Sequence, residues 1–163
     1  MVTINEIPVA HTPPGGWHGE MPPLVLAGCT EPLAPDAPDL RGLWQASAVE
    51  HAGQPQPDHP LNHHIERVEQ AGNRVVITAG GVIHDMRADG TLENGVDDVA
   101  AANTGQRIRV AAVFNGSRLD LHPLGVSPDR PPLVTREIVD GQLIWHYGPF
   151  KVTLRRLGGP VSS

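Results

Sequence analysis

Apolar and polar residues alternate along most of the chain between positions 39 and 157, in short segments separated by turns. In the first segment, Trp44 and Ala46 fall on one face of an extended chain, and Leu43 and Gln45 fall on the other. A period of two residues is typical of a β-strand with one buried face. The pattern therefore predicts a succession of strands.

Turn signals separate these strands. Asn or Asp followed by Gly is typical of tight hairpin turns, and this dipeptide occurs at Asp89-Gly90, Asn94-Gly95, Asn115-Gly116 and Asp140-Gly141. One hairpin is predicted from segments 82–87 and 91–96, which flank Asp89-Gly90. No segment shows the apolar stripe of a helix of about a dozen residues.

The strands and turns together predict an all-β fold. We expect a single antiparallel up-and-down β-barrel of about eight to ten strands, because a meander of this length exposes two sheet edges unless it closes. A closed barrel of this size has room for one small ligand. A Greek-key sandwich stays open as an alternative, because hairpin signals do not show which strands meet at the seam.

Prolines divide the chain. Residues 1–38 contain too many prolines for a helix or a sheet interior, and we predict a proline-rich N-terminal arm there. Residues 39–157 are expected to form the barrel domain and residues 158–163 a C-terminal tail. The segment 51–63 contains three prolines and predicts a long loop over the barrel mouth. Trp17 is a second candidate to cover the mouth, although pinning the arm to the barrel wall explains it as well.

Composition and charge narrow the functional classes. A net charge of -6 argues against a nucleic-acid partner, which would need a concentrated basic face. No apolar run approaches the roughly 20 residues of a membrane span. The single cysteine, Cys29, cannot form a disulfide within the chain and favours a reducing compartment, so we expect a cytoplasmic protein. A homodimer stays open.

Residues at the two ends of the predicted meander resemble those at the same places in a known group of β-barrel proteins. Gly42-Leu43-Trp44 stands at the head of the first strand, and Arg155 or Arg156 stands on the last. This order resembles the calycin superfamily, in which lipocalins carry Gly-x-Trp and pack a basic side chain over that Trp. Segment 134–143 is similar to a hairpin of the intracellular fatty-acid-binding proteins. The resemblance implies a barrel that holds a small hydrophobic molecule.

Strand alternation also predicts which side chains face the interior. His84 shares the more apolar face of its strand with Val82 and Met86, whereas Asp85 and Arg87 are expected to face water. A few polar groups in an apolar cavity orient a ligand, and His84 is the first choice for that role. The predicted ligand-binding residues are Val82, His84, Met86, Ile108, Val110, Phe114, Leu121, Trp145 and Tyr147, with Trp17 as a lid residue.

We therefore predict binding of a small hydrophobic molecule, without cofactor or metal. One alternative is a cofactor-free isomerase, cyclase or hydratase that uses His84 as acid or base. Another is a zinc or haem site built from His84, His146 and a loop histidine. His122 alternates with Asp120 and is expected to face solvent. The chain lacks a phosphate-binding glycine loop and a dinucleotide fingerprint, and a barrel packed solid with side chains is a third alternative.

Overall fold

The computed structural model describes residues 2–100 and 106–158, which form strands and connecting turns. The elements are β1 (Gly42–His51), β2 (Gln54–Pro55), a 3-10 helix (Pro60–His63), β3 (Ile65–Ala71), β4 (Arg74–Ala79), β5 (Val82–Arg87), β6 (Val96–Ala100), β7 (Arg107–Asn115), β8 (Arg118–Pro123), β9 (Val134–Val139), β10 (Gln142–Tyr147) and β11 (Phe150–Gly158). No helix in this part of the chain is long and apolar enough to cross a membrane. The predicted tail lies, apart from Gly158, outside the described residues.

The strands form one antiparallel sheet that follows the chain. Its order is β5-β4-β3-β1-β11-β10-β9-β8-β7-β6, and β2 pairs with β1. The first and last long strands are therefore neighbours, with Trp44 opposite Arg156 and Val49 opposite Val152. This pairing curls the meander into a nearly closed barrel. The predicted all-β, up-and-down architecture is confirmed, and the sandwich alternative is wrong because all strands share one sheet.

The barrel is incompletely closed at the seam between β5 and β6. These two strands stand at opposite ends of the sheet order, and no ladder joins them within the described residues. The turn after β5 contributes to closure, because the Gly90 amide donates to the carbonyl of Ala112 on β7 at 2.8 Å. The hairpin predicted from segments 82–87 and 91–96 is wrong, since β6 begins only at Val96 and pairs with β7.

Side chains that point into the barrel form one apolar core. A fully buried aliphatic side chain is stabilised by about 1.5–3 kcal/mol relative to an exposed one. The most deeply buried members are Trp44, Val68, Val75, Ile77, Met86, Val110, Ala112, Leu119, Leu121, Leu143, Val152 and Leu154.

Trp44 lies near the end of the barrel where β1 begins. Its indole is fully buried, and its Nε1 donates to the carbonyl of Leu40 at 3.0 Å. The Cζ atom of Arg156 lies 4.3 Å from the ring centroid, so the predicted stacking of a last-strand arginine on this Trp is confirmed. Gly42 has φ of 150°, and a Cβ there would lie 2.6 Å from Arg156 Nη1. Any other residue at position 42 would therefore displace the guanidinium.

Residues 2–38, called the arm below, run across the outer face of β3, β4 and β5. Arg74 is 1% exposed on that face. Its guanidinium donates to the carbonyls of Ile4, Ile7 and Pro8 at 2.7–2.9 Å and forms a bidentate pair with Asp85. The expectation that Asp85 faces water is wrong. It does point outward, but it is buried beneath the arm.

Two more charged residues of β3 hold the arm in the same way. Glu69 accepts hydrogen bonds from the amides of Val25 and Leu26, and Arg67 donates to two proline carbonyls, those of Pro22 and Pro23. An apolar cluster of Ile4, Leu26, Ala71 and Val76 lies between the arm and the sheet. The arm therefore covers charged side chains of the sheet, and the partners of these side chains are largely backbone groups of the arm.

Arg74→Met should destabilise the protein by about 3–5 kcal/mol, because it leaves the Asp85 carboxylate buried without its charge partner. The free energy of unfolding in urea measures this effect. Arg155→Met is the matched control, since Arg155 is exposed and donates to Gln45 at the surface, and it should change stability by less than about 0.5 kcal/mol. Equal stability of the two variants would contradict the role given to Arg74.

Candidate functional site

The barrel residues predicted to contact a ligand all point into the barrel. In the strand registers, His84 lies opposite Ile77 and Trp145 lies opposite Val152, and both partners belong to the buried core. The same alternation turns seven more predicted residues inward: Val82, Met86, Ile108, Val110, Phe114, Leu121 and Tyr147. Contact with a ligand stays a prediction for each of them.

Trp17 lies outside the barrel. Its amide donates to the carbonyl of Gly81, and its Nε1 donates to the carbonyl of Val82, each at 2.9 Å. These bonds attach the arm to the turn between β4 and β5. This position agrees with the explanation that Trp17 pins the arm to the barrel wall.

A charged pair crosses the barrel interior. Glu66 on β3 is fully buried, and Arg136 on β9 is 6% exposed. The Nε of Arg136 donates to Glu66 Oε2 at 2.9 Å, and its Nη2 donates to Oε1 at 3.3 Å. Three strands separate β3 from β9 in the sheet. The two side chains therefore meet across the interior and not along the wall.

His64 and Trp145 complete this group, which we call the interior cluster (His64, Glu66, Arg136 and Trp145). The Nε2 atom of His64 lies 2.8 Å from Glu66 Oε1. The rings of His64 and Trp145 stack with centroids 4.7 Å apart, and Arg136 Cζ lies 4.9 Å from the Trp145 ring centroid. A carboxylate, a guanidinium, an imidazole and an indole thus share one place among apolar side chains.

The charge of Glu66 is stabilised by its partners. Burial by itself raises the pKa of this carboxyl, but the Arg136 charge and the contact with His64 outweigh burial and lower the pKa from 4.5 to about 2. Glu66 is therefore ionised at neutral pH. Both of its oxygens are occupied, Oε2 by Arg136 and Oε1 by Arg136 and His64.

Trp145 carries a donor without an acceptor. Its Nε1 is buried and has no hydrogen-bond partner among the described residues. A buried polar group left unpaired costs about 1–3 kcal/mol, and native proteins leave few such groups. Tyr147, two residues further along β10, donates its hydroxyl to the carbonyl of Ala100. Within the described residues, the buried indole N–H thus lacks the acceptor that such groups ordinarily have.

His84 forms a second polar contact, at the seam. Its Nε2 lies 2.9 Å from Asp98 Oδ1 on β6, an ion-pair distance with an angle too bent for a good hydrogen bond. Thr12 of the arm donates its hydroxyl to Asp98 at 2.8 Å and accepts the Ile83 amide at 2.9 Å. Burial by itself raises the pKa of Asp98, but contact with His84 and the bond from Thr12 outweigh it and lower the pKa. Side chains thus bridge the seam, where no ladder joins β5 and β6 within the described residues.

A cavity of about 490 Å³ lies between the arm and the seam. Thr12 and Asp98 line it, together with Met86 and Val96, whose side chains also contact the barrel core. A second cavity of about 480 Å³ continues past Thr12 toward Trp17. Residues of the arm line both cavities.

The metal alternative fails for the residues proposed. His84 points inward, whereas His146 on β10 is exposed on the outer face, so the two imidazoles cannot share an ion. Among the described residues, no group of three His, Cys, Asp or Glu side chains could hold a metal. The expectation that His122 faces solvent is also wrong, because it is 7% exposed.

No protein-family model and no curated protein matches this chain. The nearly closed barrel is compatible with a calycin-like fold. Membership of the calycin superfamily stays a prediction.

Sequence reasoning missed Glu66, Arg136 and Asp98. One signal was present in β3, where Glu66, Arg67 and Glu69 occupy both faces of one strand. Successive side chains of a strand point to opposite faces. Charged residues at both even and odd positions of one strand therefore mean that at least one of them faces the interior. The identity of the partner could not be read in the same way, because Arg136 lies 70 positions further along the chain.

The Glu66 contribution to stability should disappear in acid. Because the folded-state pKa of about 2 lies below the ordinary value of 4.5, the stabilisation is complete above pH 4.5 and is lost as the pH falls toward 2. The shift corresponds to about 3 kcal/mol, from 1.36 kcal/mol per unit. The unfolding free energies of wild type and Glu66→Gln, measured from pH 7 to 2.5, should converge in acid. Glu20→Gln, at an exposed site, is the control and should run parallel to wild type; parallel curves for Glu66→Gln would refute the assignment.

Proposed function

We propose that the barrel binds a small, largely apolar molecule in its interior, and that the interior cluster orients it. The observation that carries this proposal is the unpaired Trp145 Nε1, a buried donor beside a saturated ion pair. Ligand sites are typically apolar with a small number of placed polar groups. The interior cluster within the apolar core has that composition.

The width of the barrel supports the same proposal. Eight strands enclose an interior that side chains can fill or that holds one small ligand, and the diameter grows with the number of strands. Here ten strands follow one another in the sheet order. Several inward positions carry only a methyl group, among them Ala46 and Ala112. The number of strands and the short side chains at some inward positions support an enclosed ligand.

One end of the barrel is the favoured mouth. The segment 51–63, predicted to cover it, contains β2 and the 3-10 helix, where Leu61 packs against the core. Phe150 at the start of β11 contacts His51 and His59, with ring centroids 4.9 Å apart in both pairs. These aromatic contacts attach the segment to the start of β11, which supports the proposal that it covers the mouth.

Trp145→Phe should weaken binding of Nile red, a neutral apolar dye with a carbonyl group, by about tenfold. The substitution keeps an aromatic ring and removes one hydrogen bond, and tenfold corresponds to about 1.4 kcal/mol. Fluorescence titration of the dye gives both dissociation constants. Trp17→Phe removes the same N–H outside the barrel and should leave the affinity within twofold of wild type. Absence of saturable binding by wild type would refute the proposal, and equal affinity of Trp145→Phe would remove Trp145 from it.

A second candidate function is acid–base catalysis on the enclosed molecule. The observation that favours it is the inward-facing His84 beside the Asp98 carboxylate, because a carboxylate orients an imidazole and stabilises its charged form. Asp85, the next residue in the chain, does not serve this purpose, since it faces outward and pairs with Arg74.

The test is deuterium uptake at the carbons beside the carbonyl of 2-undecanone, followed by NMR in deuterated buffer. Wild type should accelerate exchange above the buffer rate, and His84→Gln should remove the acceleration. His146→Gln, on the exposed face of β10, should exchange as wild type does. Exchange at the buffer rate for wild type would exclude base catalysis on this class of ketone.

A further inference from the structure

We infer that the molecule bound in the interior is uncharged and carries a hydrogen-bond acceptor, such as the carbonyl of a ketone or an ester. This inference rests on the proposed function and narrows it to a chemical class. It excludes a fatty-acid carboxylate and an amine as preferred ligands.

The first step is the charge balance of the interior cluster. Glu66 is fully buried, and Arg136 and His64 occupy both of its oxygens. The guanidinium of Arg136 is in turn engaged by Glu66 through two nitrogens. A buried ion is tolerated when an opposite charge and hydrogen bonds compensate it. Here that compensation is supplied from within the protein.

The second step concerns the other cationic groups near the interior. His84 lies against Asp98, and Arg156 covers Trp44 while its Nη1 donates to the carbonyl of Arg41. Arg67 and Arg74 point outward, toward the arm. Among the described residues, each inward-facing arginine or histidine named above therefore already has a carboxylate or an aromatic ring as its partner. An incoming carboxylate would find the Glu66 charge without an unmatched cation.

The third step concerns the unpaired indole donor of Trp145. An indole N–H donates and cannot accept, so Trp145 Nε1 requires an acceptor. A carboxylate at this place would stand beside ionised Glu66, and like charges repel strongly in a poorly solvated interior. An ammonium group would face Arg136 and offer no acceptor. A neutral carbonyl satisfies the indole without disturbing the ion pair.

The test compares three ligands of similar length by calorimetry at pH 8. These are 2-undecanone, methyl decanoate and sodium decanoate, the last of which is ionised at this pH. We expect the ketone and the ester to bind wild type at least tenfold more tightly than decanoate. Tighter binding of decanoate would overturn the inference while leaving the proposed interior site intact. Absence of binding by all three would overturn both.

Glu66→Gln provides a test by charge. The variant leaves Arg136 without its carboxylate, so decanoate should gain at least tenfold in affinity relative to wild type and the preference for neutral ligands should reverse. Glu69→Gln, at an outward carboxylate of the same strand, should keep the wild-type order. An unchanged order in a folded Glu66→Gln variant would overturn the inference. The wild-type comparison stands by itself if Glu66→Gln does not fold.

Discussion

The pairing of β1 with β11 is the constraint on which the rest of this molecule depends. It joins the first and last long strands, so that β3, β4 and β5 follow on one side and β10 to β6 on the other. Because of this closure, alternate residues of every strand face a shared interior and not a solvated sheet face. The Trp44–Arg156 contact stands within this pairing and ties the two strands together by side chains as well as by backbone.

Closure buries charged side chains inside the barrel, the arm buries others outside it, and the two sets find different partners. Outside the wall, Arg67, Glu69 and Arg74 find backbone partners in the arm. Inside the wall, Glu66 and Arg136 neutralise one another across the barrel. Breaking one member of such a pair costs more than the pair contributes, because the remaining charge stays buried. The arm and the interior cluster therefore meet the same requirement, which is that a buried charge needs an opposite charge or hydrogen-bond partners.

The seam shows what the closure leaves incomplete. Between β5 and β6 the wall is joined by His84, Asp98 and Thr12 and not by a ladder. Alternation with Val82 and Met86 placed His84 on the more apolar face of its strand, which favoured an inward direction without deciding it. Its partner could not be predicted, because Asp98 lies on β6, across the seam. The hairpin predicted at Asp89-Gly90 put residues 91–96 beside β5 instead. The neighbour of His84, Asp98, is therefore known only from the folded chain.

By itself, the sequence determined the all-β class and the hairpin turns at Asn115-Gly116 and Asp140-Gly141. Period-two alternation and turn dipeptides are local properties of the chain, so they also grouped the side chains of each strand by face, but they left open which face of β10 points inward. Only the tertiary structure decided which charges meet. Glu66 and Arg136 are 70 positions apart, and Arg74 finds its partners near the N-terminus. A strand pattern specifies the face on which a side chain stands, but the identity of the group it meets there depends on how the sheet curls and on what covers it.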